Sequence, residues 1–202
     1  MPSTGPDAQL LKAAASGDVN GITRALSAGA DIEARDSSQR TSLLLASLGD
    51  HVDAAKALVA AGADPNAQDG LLQSAWLVTG VTGSVPMLEV LLKASPPPDL
   101  TLRNRYGGVS VIPASERGHV DYVRRVVTTG IDVNHVNNLG WTALLEAVIL
   151  GDGSGKYGQI VEILLEAGAK PSIGDNDGVT ALQHARKKGQ GRIVEILERV
   201  EG

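Results

Sequence analysis

The chain has 202 residues, 43% of them hydrophobic and 20% charged, with a net charge of −5; that is one or two ordinary domains of globular material, not the polar, highly charged composition of a disordered chain. There is no Cys and no Phe, and aromatics make up 2%. Disulfides, thiol chemistry and Cys-ligated metals are therefore excluded, and Ala, Leu, Val and Ile must fill a core of thin layers of small helices. The acidic balance argues against nucleic acid and anionic membranes as partners. Residues 1–9 lack the basic start and apolar stretch of a secretory signal, and no window approaches 18 uninterrupted apolar residues, so a cytoplasmic location is expected.

Two glycine series run along the chain. Gly17, Gly49, Gly83, Gly118, Gly151 and Gly189 step by 32, 34, 35, 33 and 38, while Gly29-Ala30-Asp31 recurs as Gly62-Ala63-Asp64, Gly130-Ile131-Asp132 and Gly168-Ala169-Lys170. A period of about 33 marks a repeat architecture and divides a single domain over 1–202 into six units, at about 7–39, 40–72, 73–107, 108–140, 141–178 and 179–202. The first unit opens with Gln9 and Lys12 where inner units carry apolar residues, as a polar cap would. In the second, Leu43, Leu44, Ala46 and Leu48 precede Gly49-Asp50, and Val52, Ala55, Leu58 and Val59 follow it. That spacing predicts two short helices, which the small Ala46, Ala55 and Ala57 let approach closely, with Gly62 ending the second in a left-handed residue. The third unit ends in Ser95-Pro96-Pro97-Pro98 where Gly-Ala is expected, which stiffens the exit from its helix.

From Arg103 to Arg125, across the end of the third unit and into the fourth, Arg103, Arg105, Arg117, Arg124 and Arg125 stand against Glu116 and Asp121, a local charge of +5 − 2 = +3 on a molecule otherwise at −8. The fifth holds an insertion, 152–159, rich in glycine and bearing Lys156; it lacks the spacing and preceding strand of a phosphate loop and reads as a flexible loop or small lid. The sixth ends in Glu195, Glu198, Arg199 and Glu201, a second polar cap. Turn residues in 132–141 and 175–179 predict projecting hairpins.

Thr142-Ala143-Leu144-Leu145-Glu146-Ala147 and Thr180-Ala181-Leu182-Gln183-His184-Ala185 resemble the T-P-L-H-x-A pattern of the ankyrin-repeat family. Gly118-His119 followed by Val123, and Ile163-Leu164-Leu165, are similar to that family's second helix. The resemblance covers nearly the whole chain and implies an all-α ankyrin-repeat solenoid of about six helix-turn-helix units with projecting β-hairpin turns. Within 103–119 and 138–153 the chain further resembles the bacterial YahD-type ankyrin-repeat proteins, a likeness that supports a shared site and implies no activity.

The resemblance also implies that inner helices expose to a concave side the residue before the pattern's final Ala, a column of Lys12, Leu45, Val78, Pro113, Glu146 and His184. Such a groove is apolar in its middle, with a carboxylate and a histidine beside it. Glu146 needs a partner there, and Arg103, Arg105, Arg117 or a ligand cation could supply one. Tyr106 and Trp141 lie at hairpin tips, His135 replaces the Ala of Ala34 and Ala67, and Trp76 is either a contact or a core residue. The candidate partner- or ligand-binding residues are Arg103, Arg105, Tyr106, Glu116, His135, Trp141, Glu146 and Asp152, with no catalytic residue assigned.

The leading expectation is a monomeric binding module that recognises a protein partner through its concave groove and hairpin tips. The rival is a small-molecule or catalytic site in the fourth and fifth units, where Glu116, His119, His135 and Glu146 could do acid-base chemistry and the arginines could hold a small anionic ligand. No nucleophile motif accompanies them, so an enzyme is the less favoured reading. No cofactor is expected, and no metal, because His51, His119, His135 and His184 show no local ligand spacing for zinc.

Overall fold

The computed structural model describes residues 5–201. They form twelve α-helices in consecutive pairs: α1 (Pro6–Ser16) and α2 (Val19–Ser27), α3 (Ser42–Leu48) and α4 (Val52–Ala60), α5 (Ala75–Thr82) and α6 (Val85–Leu91), α7 (Val111–Arg117) and α8 (Val120–Val126), α9 (Ala143–Ile149) and α10 (Gly155–Glu166), α11 (Ala181–Lys187) and α12 (Gly191–Glu201). A 3-10 turn, Val127–Thr129, continues α8. Among the described residues there is no strand; the one isolated antiparallel bridge joins Arg35 and Thr41. The expected hairpins are thus present as turns closed by a few hydrogen bonds.

The backbone divides into two compact units, one up to Leu102 and one from Arg103. In the first, α1 packs on α2 and α3, α3 on α4 and α5, and α4 on α2 and α6. Leu10, Ile22, Leu43, Leu58, Met87 and Leu91 are fully buried there, and Ala14, Ala46 and Ala55 fill the closest approaches. Burying a Leu-sized side chain stabilises by roughly 1.5–3 kcal/mol, so aliphatic residues supply the core without Phe. In the second unit, α7 packs on α8 and α9, α9 on α10 and α11, and α10 on α8 and α12.

Local chemistry sets the helix ends. Thr41, Ser74, Thr142 and Thr180 cap α3, α5, α9 and α11 by accepting from the amides of Leu44, Leu77, Leu145 and Gln183. The corresponding position before α7 is Val109, which has no side-chain acceptor, and α7 starts without a cap hydrogen bond. Gly62 is left-handed, at φ +91°, after α4. Its amide donates to Val59 and that of Ala63 to Leu58, a pairing that satisfies the last carbonyls of the helix. Where the third repeat has prolines, the Pro97 carbonyl accepts from Asn66 Nδ2 at 2.9 Å, just as the Gly168 carbonyl accepts from Asn134 Nδ2 at 3.0 Å.

The insertion departs from the expected flexible loop. Residues 155–159 are helical and lengthen α10 to 12 residues, leaving 152–154 as the connection. Tyr157 explains the change: it is buried in the added turn and its hydroxyl donates to the Glu116 carbonyl at 2.8 Å. From the following repeat, Lys188 Nζ donates to the carbonyls of Val148, Ile149 and Gly151 at 2.5–3.2 Å, closing the end of α9.

Candidate functional site

Five turns of one design carry the surface residues. Each is built on an Asp or Asn hub, at Asp36, Asp69, Asn104, Asn137 and Asp175. The hub's Oδ1 accepts the amides two and four residues on; in the fourth turn these are Leu139 at 2.9 Å and Trp141 at 3.1 Å. Its own amide donates to the carbonyl four residues on. One side-chain oxygen thus does the closing that strand pairing would otherwise do.

The residue three after each hub is left-handed: Gln39, Leu72, Gly107, Gly140 and Gly178. The residue two after it projects: Ser38, Leu71, Tyr106, Leu139 and Asp177. Leu71, Tyr106 and Leu139 are 54%, 55% and 52% exposed. For large apolar side chains that is an unfavourable place unless something covers them.

In the second unit the third and fourth tips are tied together. Asn138 N donates to the Tyr106 carbonyl at 2.9 Å, and His135 Nε2 lies 2.6 Å from the Gly107 carbonyl. A carbonyl oxygen can only accept, so this nitrogen carries the imidazole proton. The Arg105 guanidinium sits 4.7 Å from the Tyr106 ring centroid and donates to its hydroxyl at 2.6 Å. Trp141 is half-buried at the base of the fourth turn, while Arg103 and Arg105 are exposed.

Glu146, on α9, is 5% exposed, and its Oε1 accepts from Asn137 Nδ2 at 2.8 Å. Its partner is therefore the hub amide of its own hairpin, where the sequence suggested an arginine or a bound cation. Burial first, then the charge of Glu116, push its pKa up to about 7 against the lowering effect of Asn137. In the last repeat His184 takes the corresponding place and its Nε2 meets Asp175 Oδ2 at 2.7 Å. An Asn hub under a carboxyl and an Asp hub under an imidazole are matched choices, because an Asp at 137 would face Glu146 with a second negative charge.

Asp152 is exposed, and the side chain and amide of Ser154 hold its carboxyl below the usual range. Burial raises the Tyr157 phenol, helped by the charges of Asp152 and Glu116. Glu116, Glu146, Asp152 and Tyr157 therefore share one electrostatic neighbourhood. Among the described residues no group of three or more His, Asp or Glu could hold a metal ion.

Half of the column expected to line an open groove is buried. Val78, Pro113 and Glu146 are buried, Leu45 and His184 half-buried, and Lys12 exposed. Trp76 is fully buried with its Nε1 unpartnered, so of its two readings it has the core one. In the first unit the accessible apolar surface lies nearer the tips. Leu48 and Leu71 line a hollow of about 500 Å³ together with Ser38, Arg40, Asp69 and Gln73. Sequence reasoning missed Leu71, Leu72 and Leu139; the available signal was a Leu just after an Asp or Asn, inside a turn that ordinarily stays polar.

Comparison with known proteins now decides the family. A model described as ankyrin repeats (3 copies) matches residues 114–199, and one described as ankyrin repeats (many copies) matches residues 10–59. The ankyrin repeat protein YahD of Escherichia coli (strain K12) is 39% identical over 191 residues, 94% of each chain. The chain belongs to the ankyrin-repeat family. A crystal structure of an ankyrin repeat domain from Acinetobacter baumannii AYE is 47% identical with a TM-score of 0.89, covering 94% of this chain and 96% of that one. The ankyrin repeat domain of Bcl-3, a member of the IkappaB protein family, is 27% identical with a TM-score of 0.85, covering 95% and 85%. Ankyrin repeats are general protein-interaction modules, and among the described residues no helix of this one is long and apolar enough to cross a membrane.

Proposed function

We propose that this ankyrin-repeat protein captures a protein partner through its hairpin tips and the adjoining ends of its inner helices. The observation that carries this reading is where large apolar side chains meet solvent. Leu71, Leu72, Tyr106, Val136 and Leu139 lie on hairpins, Leu48 ends the inner helix α3, and Leu150 follows the inner helix α9. Among the described residues, Val19 and Val200 are the other large exposed hydrophobics. Covering such residues is the main favourable term in association, and Tyr and Arg are common anchors of interfaces. Glu146, the strongest acid-base candidate, is buried and bonded to its own hairpin, which turns it away from the small-molecule reading.

A photo-crosslinking amino acid placed singly at Leu71, Tyr106 or Leu139, and as a control at Lys56 on the outer helix α4, tests the proposal in the native host cell. Adducts from the tip positions, absent from Lys56, are the expected result. Adducts confined to Lys56, or none from any tip, would overturn it.

A further inference from the structure

The five hairpins differ in charge in a way their common architecture does not require. A hub needs one acceptor oxygen, and Asp supplies it at 36, 69 and 175. The third and fourth turns use Asn104 and Asn137 instead. Residues 103–108 and 135–141 consequently contain no carboxylate, while they carry Arg103 and Arg105, both exposed. Elsewhere the hairpins hold Asp36, Asp69, Asp175 and Asp177, and the arginines of the first are engaged locally, Arg40 with Asp36 and Arg35 with the Gln39 and Gln68 carbonyls. On a chain of net charge −5 this is a local reversal of sign, and it coincides with the exposed side chains of Tyr106 and Leu139.

We infer that the third and fourth hairpin tips form a docking surface for an acidic segment of another protein, with an apolar residue of that segment seated on Tyr106 and Leu139 and a flanking carboxylate on Arg105. The inference rests on the protein-capture reading above and names the chemistry of the partner. Arg105 is suited to the role because its guanidinium is already set over the Tyr106 ring, with one donor on the phenol oxygen. The rest of its five N–H donors can take a carboxylate in bidentate fashion. Its planar group loses less freedom on binding than a lysine would. The bonds from Asn138 to Tyr106 and from His135 to Gly107 fix one tip against the other, so little ordering opposes association. Neither turn carries a carboxylate of its own, the nearby Glu146 is buried beneath the fourth hub, and opposite charge speeds the encounter with an acidic segment.

The test pans a phage-displayed library of random linear peptides on the intact protein and measures the selected peptides, fluorescein-labelled, by polarisation. Expected are sequences in which Asp or Glu flank a Leu or an aromatic residue. Their affinity should fall as salt is raised, and by about tenfold or more with Arg105→Glu or Tyr106→Ala, in variants whose circular dichroism matches the parent. Selected peptides without acidic residues, or ones indifferent to Arg105→Glu, would overturn the inference. So would a concentration-dependent dimer abolished by Arg105→Glu, since the occupant would then be a second copy of the chain. If peptides bind but only Leu71→Ser weakens them, this inference fails while protein capture stands; if the tips also give no cross-links in cells, protein capture fails as well.

Discussion

Leu72 holds a left-handed backbone, φ +56°, at a turn position where three of the five hairpins use glycine, and it does so while about half exposed, at 48%. That conformation costs a residue with a Cβ roughly 1–2 kcal/mol. Part of this is offset because glycine has more freedom to lose on folding. Leu72→Gly is therefore expected to stabilise the protein by about 0.5 kcal/mol, read from the midpoint of urea unfolding at unchanged slope; a lower midpoint would mean that Leu72 packs in the native state. Glu146 gives the pH dependence. Its folded pKa of about 7 lies above the ordinary 4.5, so folding favours the protonated carboxyl. The associated stability is complete below about pH 4.5 and is lost as pH rises through about 7, a change on the order of 3 kcal/mol. Glu146→Gln keeps an acceptor for Asn137 and has no proton to lose. Its stability should stay level between pH 5 and 8 where the parent's declines, and a decline of equal size in the variant would assign the effect elsewhere.

At the level of elements, α7 lacks the cap that α3, α5, α9 and α11 have, because Val109 stands where Thr41, Ser74, Thr142 and Thr180 cap their helices. Val109→Thr is nearly isosteric and supplies the missing acceptor. It should add about 1 kcal/mol, or about 2–4 °C in Tm; no change would show that the 3-10-like start at Val109, whose carbonyl already takes the Ile112 amide, blocks a cap. The helices themselves were legible in the sequence, since glycine at a fixed period and apolar residues at 3.6 spacing state a local conformation that short helices obey. Gly62 was readable for the same reason. The burial of Val78, Pro113 and Glu146 was not, because pattern tells which residues share a face and says nothing of what covers it. The helical insertion was hidden similarly: its glycines suggested a loop, and the tertiary bond from Tyr157 to Glu116 made it helix. Of the candidate residues, Arg105, Tyr106 and His135 meet within two adjoining turns, while Glu116, Glu146 and Asp152 gather around α9.

Taken whole, the chain builds its order from contacts between neighbours in sequence. Within each unit neighbouring repeats touch, so protection should be graded, not uniform. The inner helix α3 has α1 and α5 beside it and α9 has α7 and α11, whereas α1 and α12 cover one side of their units. Native-state amide hydrogen exchange should find α3 and α9 slowest and α1 and α12 fastest. Equal protection throughout would mean that the chain opens all at once. Charge is graded as well: the residues up to Leu102 carry 6 basic and 11 acidic side chains, a net of −5, and those from Arg103 carry 12 of each.

The Asp or Asn at the base of every turn separates two kinds of information. Closure is written at the hub, whose oxygen takes the amides of residues two and four positions on, while the side chain two positions on contributes nothing to it. Ser38, Leu71, Tyr106, Leu139 and Asp177 can therefore be exchanged without asking the backbone to refold. A lineage, or an engineer, can rewrite what this protein recognises one residue at a time while its stability is inherited unchanged.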